Sequence, residues 1–486
     1  MTKARSTEIS MELEFYGAAG EVTGSCHRLR VAGRQVLLDC GLVQGGRDAM
    51  RRNRDPFPFE ASAIDAVILS HTHVDHCGRL PLLVKRGYRG PIYTNPACRD
   101  LLPILLRDTA GLAMREADRI NKSRQREGGD DSDEPVAEPL YDLDDVEQTL
   151  RLVRAVRYDE WHEPFPGLSL RQHDAGHILG SASIELRLRE GDTERTLVFS
   201  GDLGQYDSPI LLDPHRFEAA DAVVMESTYG GREHRGRDAT VAELGGIIAA
   251  AARDQGNIVV PAFAVGRSQE ILYLLATHFE EWRLRHWQVF LDSPMAIKAS
   301  EVYWRHSERF DAEALRLRRS FPGMPALDNL HLCRTADESR AINSFRSHAF
   351  IIAGSGMCNG GRVLHHLRHN LGRPECHVVI TGFQAPGTLG RALVDREPFV
   401  RIYGLPVRVE AQVHTLGGLS AHGDREDLLR WYGSFAQRPP VWLVHGEPDA
   451  AGALRDALGA MGAAATVATP GLRVDLATLP RRGSAP

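Results

Sequence analysis

His71-Thr72-His73-Val74-Asp75-His76 places three imidazoles and a carboxylate within six residues. The hexamer directly follows the compact apolar run Ile64–Leu69, which reads as a buried strand. In extended backbone the side chains repeat every two residues, so His71 and His73 point to the same side. Asp75 and His76 fall where the chain turns toward a helix predicted over Gly78–Arg86, with Pro81 in its first turn, where a missing N–H costs little. They can therefore face a second point close to the first. Imidazole plus carboxylate is the ligand set for zinc or a similar divalent ion.

Six residues do not complete two such sites, and the chain offers more donors at the ends of other predicted strands. His177 lies in Asp174-Ala175-Gly176-His177-Ile178-Leu179-Gly180-Ser181, a loop between strands. Asp202 follows the strand Thr196–Phe199, and His445 follows Val441–Val444. Asp39 ends the strand Gln35–Asp39 and reads as an acceptor that orients a ligand histidine, with turn capping as its plainer role.

Strands dominate on both sides of the hexamer, at Met11–Tyr16, from Leu168, at Ser183–Leu188 and at Ala222–Met225. Between Arg115 and Pro139, the acidic run Gly128-Gly129-Asp130-Asp131-Ser132-Asp133-Glu134-Pro135 reads as a solvated insertion. From about Gly230 the rhythm becomes β/α. Asn257–Val260, Gln288–Leu291 and Ala349–Ile352 are each followed by a predicted helix, from about Arg267, Pro294 and Gly361. Strands alternating with helices predict a parallel sheet with crossover helices. Strand-rich sequence returns with Val407–Thr415 and Val441–Val444. The expected organisation is one α/β domain made of residues 1–229 and 406–486, with a second α/β domain, 230–405, inserted.

The balance of 58 Lys+Arg against 64 Asp+Glu gives a net charge of −6. That argues against a broad, salt-driven nucleic-acid coat and leaves a local cationic face open. No run approaches the ~18–20 apolar residues of a membrane helix. The first residues, Met1–Glu8, are polar, with no apolar stretch of a signal peptide behind them. Seven scattered cysteines without a C-x-x-C pair fit neither a disulfide framework nor a thiolate zinc site. A reducing cytoplasm is the expected compartment.

Taken in order, these residues resemble the metallo-β-lactamase fold. More narrowly, the chain is similar to the β-CASP ribonucleases, the group of the nuclease subunit of the mRNA 3′-end cleavage and polyadenylation factor and its bacterial and archaeal relatives. Asp39 matches the family's first motif, the hexamer its second, His177 its third and Asp202 its fourth. Glu226, in Met225-Glu226-Ser227-Thr228-Tyr229-Gly230, matches motif A. His422, in Leu419-Ser420-Ala421-His422-Gly423-Asp424, matches motif B, and His445 matches motif C. The insert carries segments typical of the group at Pro261–Arg267, Leu291–Met295 and Gly354–Gly361. The resemblance implies an αββα metallo-β-lactamase sandwich with an inserted β-CASP α/β domain, acting as a zinc-dependent ribonuclease on single-stranded RNA. It implies two zinc ions per chain, manganese being the alternative. One is held by His71, His73 and His177, the other by Asp75, His76 and His445, with Asp202 bridging. A histidine at the place of His445 resembles the RNA-processing branch rather than the DNA-repair branch. The resemblance gives no separate RNA-targeting domain.

Two divalent ions at such a site clamp a phosphoryl group and acidify water to a pKa of about 7. Asp75 thereby joins the catalytic set. The leaving 3′-oxygen needs a proton, and His422, positioned by Glu226, is the expected acid. Ser355 and Gly356, in a glycine-rich stretch opening a predicted helix, are candidates to bind phosphate, as are Ser420 and Arg391. Arg362, His365, His366 and His369 follow at i, i+3, i+4 and i+7 and share one face, which lines an RNA groove or is a solvated helix surface. Two other readings are open: a metallo-hydrolase of a small ester, thioester, lactam or phosphodiester, and a non-catalytic RNA-binding scaffold. A homodimer is a candidate assembly.

Overall fold

A computed structural model describes residues 11–45, 48–126, 136–320, 327–382, 384–385 and 387–480. The two ends of the chain build a pair of seven-stranded sheets. The first runs in the order Arg473–Asp475, Glu12–Gly17, Cys26–Val31, Arg34–Leu38, Ala66–Ile68, Ile92–Thr94, Val153–Ala155. The second runs Ala465–Val467, Val441–Val444, Ala222–Glu226, Thr193–Phe199, Ala182–Glu190, Leu168–Asp174, His162–Phe165. Alternation along the strands turns Leu13, Phe15, Leu29, Leu186, Leu188 and Phe199 into one shared apolar layer between the sheets. On the outside, Pro96–Arg126 and Leu143–Leu152 cover the first sheet, burying Leu102, Leu106 and Val146. Arg425–Gly433 and Pro448–Ala460 cover the second, burying Leu428, Trp431 and Leu454. The result is the expected αββα sandwich.

The insert is a six-stranded sheet in the order Leu330–Leu332, Gln288–Asp292, Ala349–Ala353, Ile258–Pro261, His377–Ile380, Gln412–Thr415. Every pairing in it is parallel. Helices Arg237–Asp254, Arg267–Thr277 and Pro294–Arg305 pack on one face through Leu244, Ile271, Leu275 and Ile297. Val363–Asn370 and Leu389–Val394 pack on the other through Val363, Leu367 and Leu393. Phe399–Ile402 and Leu405–Arg408 pair as an antiparallel hairpin on that second face. The strand Gln412–Thr415 joins the insert's sheet beside His377–Ile380, so the sheet runs past the boundary at residue 405 drawn from the sequence. Val407, Val409 and Val413 pack against the insert's own core, which keeps this segment there.

The helix Pro96–Arg126 runs through Arg115–Arg126, where the sequence changes character ahead of the acidic run. The acidic run that follows, Gly128–Pro135, lies outside the described residues. The two domains meet where Ile178 and Leu179 share a cluster with Val265, Tyr273 and Tyr303. Among the described residues, no helix is long and apolar enough to cross a membrane.

Candidate metal centre

The hexamer loop is held in place by the segment that precedes it in space. Cys40 N–H donates to the His76 carbonyl at 2.8 Å, Leu42 N–H to that of Val74 at 2.8 Å, and Ser25 N–H to that of Asp75 at 2.8 Å. The approach is so close that a Cβ on Gly41 would stand 1.6 Å from the Asp75 carbonyl oxygen. Only glycine fits there. The short helix Val74–Cys77 then carries Asp75 and His76. His71 and His73 sit in the extended link between that helix and the strand Ala66–Ile68.

Seven side chains from four separated segments, the hexamer loop among them, converge here. His71 Nε2 lies 3.2 Å from His73 Nδ1, and His177 Nε2 lies 3.0 Å from the same atom. Asp202 Oδ2 is 3.3 Å from His71 Nε2 and 3.6 Å from His177 Nε2. On the other side, His76 Nε2 and His445 Nε2 are 3.1 Å apart. Asp75 Oδ2 is 3.4 Å from His445 Nε2, and Asp202 Oδ1 is 3.3 Å from His76 Nε2. Two donor groups follow, His71/His73/His177/Asp202 and Asp75/His76/His445, with Asp202 presenting one oxygen to each.

The outward-facing ring nitrogens are already committed. His76 Nδ1–H donates to Asp39 Oδ2 at 2.7 Å, and His177 Nδ1–H to the Ala421 carbonyl at 3.0 Å. His445 Nδ1 meets Thr228 Oγ1 at 2.9 Å, and His71 Nδ1 meets Ser70 Oγ at 3.0 Å. These partners leave the Nε2 lone pairs pointing at one another, and Asp202 Oδ1, buried, has no hydrogen-bond partner. Facing lone pairs and an orphaned carboxylate oxygen are what a cation satisfies, so the donor set fits a pair of divalent ions.

The electrostatics favour the ligand-competent forms. Burial, joined by neighbouring imidazoles, pulls His71 and His177 below the ordinary histidine range, and His73 down to about 3. Burial penalises the charged forms of Asp75 and Asp202, but His445 and His76 outweigh it and hold both carboxyls low. His76 goes the other way. Burial lowers it, yet Asp202 and Asp39 more than compensate and raise it well above its usual value.

Beside the cluster, Glu226 is fully buried at the end of its strand and accepts from Leu203 N–H at 2.7 Å and Thr228 N–H at 3.3 Å. Its two oxygens face His422 Nδ1 at 3.1 and 3.2 Å. The His422 ring stands 4.4 Å from that of His177 and 5.7 Å from that of His445. Burial lowers the His422 pKa, but the Glu226 charge and hydrogen bond outweigh it and lift the ring to about 9. Ser420 Oγ accepts from His422 N–H at 3.2 Å, so Ser420 is at the centre.

The other candidates for phosphate sit differently. Ser355 Oγ closes its own loop, taking Asn359 N–H at 3.1 Å. Gly356 is pressed under the Phe263 ring, which a Cβ would meet at 2.7 Å. The Arg391 guanidinium is engaged by Asp395 one helical turn on, at 2.9 Å, on an exposed surface. The helical face predicted for Arg362, His365, His366 and His369 divides. Asp292, fully buried, draws Arg362 Nη1 and His366 Nε2 inward at 2.7 and 2.6 Å, while His365 and His369 stay exposed. Thr228, Ser70 and the Ala421 carbonyl are contributors that the motifs did not single out. Each lies within two residues of a motif residue, which is the only signal the sequence gives of them.

Comparison with known families finds three matches. Residues 19–242 match the metallo-beta-lactamase superfamily, 268–393 the Beta-Casp domain, and 406–470 a Zn-dependent metallo-hydrolase RNA specificity domain. Ribonuclease TTHA0252 of Thermus thermophilus is 41 % identical over 441 residues, covering 90 % of this chain and 94 % of the relative. Transcription termination factor FttA of Methanothermobacter thermautotrophicus is 31 % identical over 451 residues, covering 89 % of this chain, which spans 66 % of that factor's length. An RNase J-like protein of Methanocaldococcus jannaschii is 27 % identical over 438 residues, covering 90 % of this chain and 92 % of the relative. The crystal structure of a protein of unknown function from Enterococcus faecalis V583 superposes with a TM-score of 0.52 at 12 % identity, over 96 % of this chain and 99 % of that one, a likeness of fold.

Proposed function

The chain belongs to the β-CASP family of the metallo-β-lactamase superfamily, and on that premise we propose that it is a zinc-dependent ribonuclease hydrolysing phosphodiester bonds of single-stranded RNA, in RNA processing or degradation. The observation that carries the reading is the juxtaposition of seven metal-competent side chains with the His422–Glu226 pair. His71, His73 and His177 would hold one ion and Asp75, His76 and His445 the other, with Asp202 between them. When bound, such a pair stabilises charge on a phosphoryl group and lowers the pKa of attacking water.

The chain's own groups do the rest. Asp39, Ser70, Thr228 and the Ala421 carbonyl fix the tautomers, so that lone pairs face inward. Glu226, anchored by two backbone N–H groups, holds His422 through Nδ1. This leaves His422 Nε2 to carry a proton to the leaving 3′-oxygen. Ile178 and Leu179, sealed beneath Val265 and Tyr303, keep water away from the flank of His177. Seven free, buried cysteines support a reducing compartment, the cytoplasm.

The test pairs zinc analysis with cleavage of end-labelled single-stranded RNA. His422→Ala is expected to keep the wild-type zinc content and lose roughly 10²–10⁴-fold in kcat. Equal cleavage by wild type and variant removes the acid role. Zinc-loaded protein that leaves RNA intact while turning over a small ester overturns the reading as a whole.

A further inference from the structure

The hairpin formed by Phe399–Ile402 and Leu405–Arg408 exposes three large apolar side chains, Phe399, Tyr403 and Leu405, at 58 %, 52 % and 50 %. Its buried residues Val400 and Ile402 seal the insert's core, and strand alternation turns Phe399 and Arg401 outward. Alongside runs the solvent face of the helix Val363–Asn370, which presents His365, Arg368 and His369. The two are one surface. Tyr403 Oη lies 2.9 Å from His365 Nε2, and the two rings are 5.0 Å apart.

Some exposed guanidiniums of the insert are spent on carboxylates, as in Arg334–Glu301 and Arg391–Asp395. Arg368 and Arg401 have no such ion pair among the described residues, and Arg401 donates only to the Gly404 carbonyl. The helix is also tied to the metal centre's side of the insert. Asp292 clamps Arg362 and His366 at its first turns, at the carboxyl end of the strand Gln288–Asp292. Two strands across the same sheet, Ile258–Pro261 ends in the loop where a Cβ on Gly266 would meet Ile178, beside His177, at 2.9 Å.

We propose that the hairpin and the outer face of this helix form a second contact surface for single-stranded RNA, separate from the metal centre. Arg368 and Arg401 take phosphates, and Phe399 and Tyr403 stack unpaired bases. Unpaired guanidiniums interleaved with exposed rings are the combination that holds a flexible polyanion without reading its sequence. On a chain whose net charge is −6, such a patch also supplies the local attraction that the molecule as a whole lacks. The proposal rests on the ribonuclease reading, because it extends the substrate's path beyond the bond that is cut.

The test uses zinc-loaded full chain and two fluorescein-labelled oligouridylates, one of about 20 nucleotides, longer than the roughly 4–16-nucleotide footprint of such surfaces, and one of about 5, near its lower end. Binding is read by anisotropy in a His422→Ala background, and cleavage in the wild-type background. Phe399→Ala/Tyr403→Ala and Arg368→Ala/Arg401→Ala are each expected to weaken the long oligomer roughly tenfold. They should raise its KM to match, with kcat unchanged and the short oligomer unaffected. The arginine pair should also flatten the slope of log affinity against log salt by about 0.7 for each phosphate that is no longer neutralised. Unchanged affinity for the long oligomer, or equal weakening for both lengths, overturns the proposal. So does conversion of a dimer to a monomer by the ring variants with RNA affinity intact, which assigns the patch to a second copy. Length-dependent binding by a protein that cleaves no RNA keeps this surface and removes the ribonuclease reading instead.

Discussion

Asp39→Asn separates the part of the site that holds metal from the part that holds the fold. The Asp39 carboxylate is fully buried, with Oδ1 accepting Ser70 N–H at 2.8 Å. Oδ2 accepts His76 Nδ1–H at 2.7 Å, Ser70 Oγ–H at 2.9 Å and Ser25 Oγ–H at 3.1 Å. Asparagine has the same shape but one acceptor. If its oxygen stays on Ser70 N–H, its NH₂ faces His76 Nδ1. The two hydroxyls can rotate to accept, but the imidazole must move its proton to Nε2, the atom that faces the metal position. If the amide flips, two N–H donors oppose each other at Ser70. Either arrangement strands a buried donor, at about 1–3 kcal/mol, which is roughly one to two decades of affinity at 1.4 kcal/mol each. That agrees with the 10–100-fold typical of groups orienting a metal ligand. Titration against a chromogenic chelator should therefore show one of two zinc equivalents weakened by about that factor and the other unchanged, with far-UV circular dichroism as in the wild type. Two equivalents as tight as the wild type's would refute the reasoning about Asp39. Equal loss of both would show that the two donor groups are not separate.

Two further outcomes follow from the same geometry. Gly41→Ala places a methyl 1.6 Å from the Asp75 carbonyl oxygen, so the hexamer loop must shift; a stability loss of at least about 1–3 kcal/mol in denaturant unfolding is expected, together with loss of the ion that Asp75 and His76 would hold, and a wild-type midpoint would contradict it. Burial pushes the Asp174 carboxyl from its ordinary 3.8 up to about 7, against the pull of Gly176 N–H and Arg309. Its protonated form is thus the one that folding favours, and its contribution to stability is whole below about pH 4 and lost as pH rises toward 7. Asp174→Asn should therefore gain on the wild type in thermal midpoint between pH 5 and pH 8; parallel curves would exclude the shift.

How far the sequence could be read depended on whether a residue's role was local. The hexamer, His177, Asp202 and His445 were legible because each follows a strand, and strand ends are where an α/β fold gathers its ligands. Asp39 was legible for the same reason. Thr228 and Ser70 were not, because a hydroxyl that steadies the far nitrogen of an imidazole looks in sequence like any turn residue. The helix Val363–Asn370 shows the limit of periodicity. Spacing correctly puts Arg362, His365, His366 and His369 near one face. It is silent about Asp292, some seventy positions earlier, whose buried charge demands partners and turns two of the four inward. Arg391 was likewise drawn away by an acid one helical turn on. The change of rhythm near residue 230 suggested a domain division, but the strand Gln412–Thr415 carries no mark of which sheet it will join.

The order of donors along the chain has a consequence for the newborn protein. Asp39, the hexamer, His177, Asp202 and Glu226 all precede the insert, while His422 and His445 come after it. A ribosome delivers the chain from the N-terminus, so a half-made molecule can gather most of the proposed metal cage yet own neither the proposed proton donor nor the last imidazole. Cutting power is therefore the final property acquired. It arrives only after the intervening sheet has closed and brought the tail back to the strand Ala222–Glu226, beside which Val441–Val444 then lies.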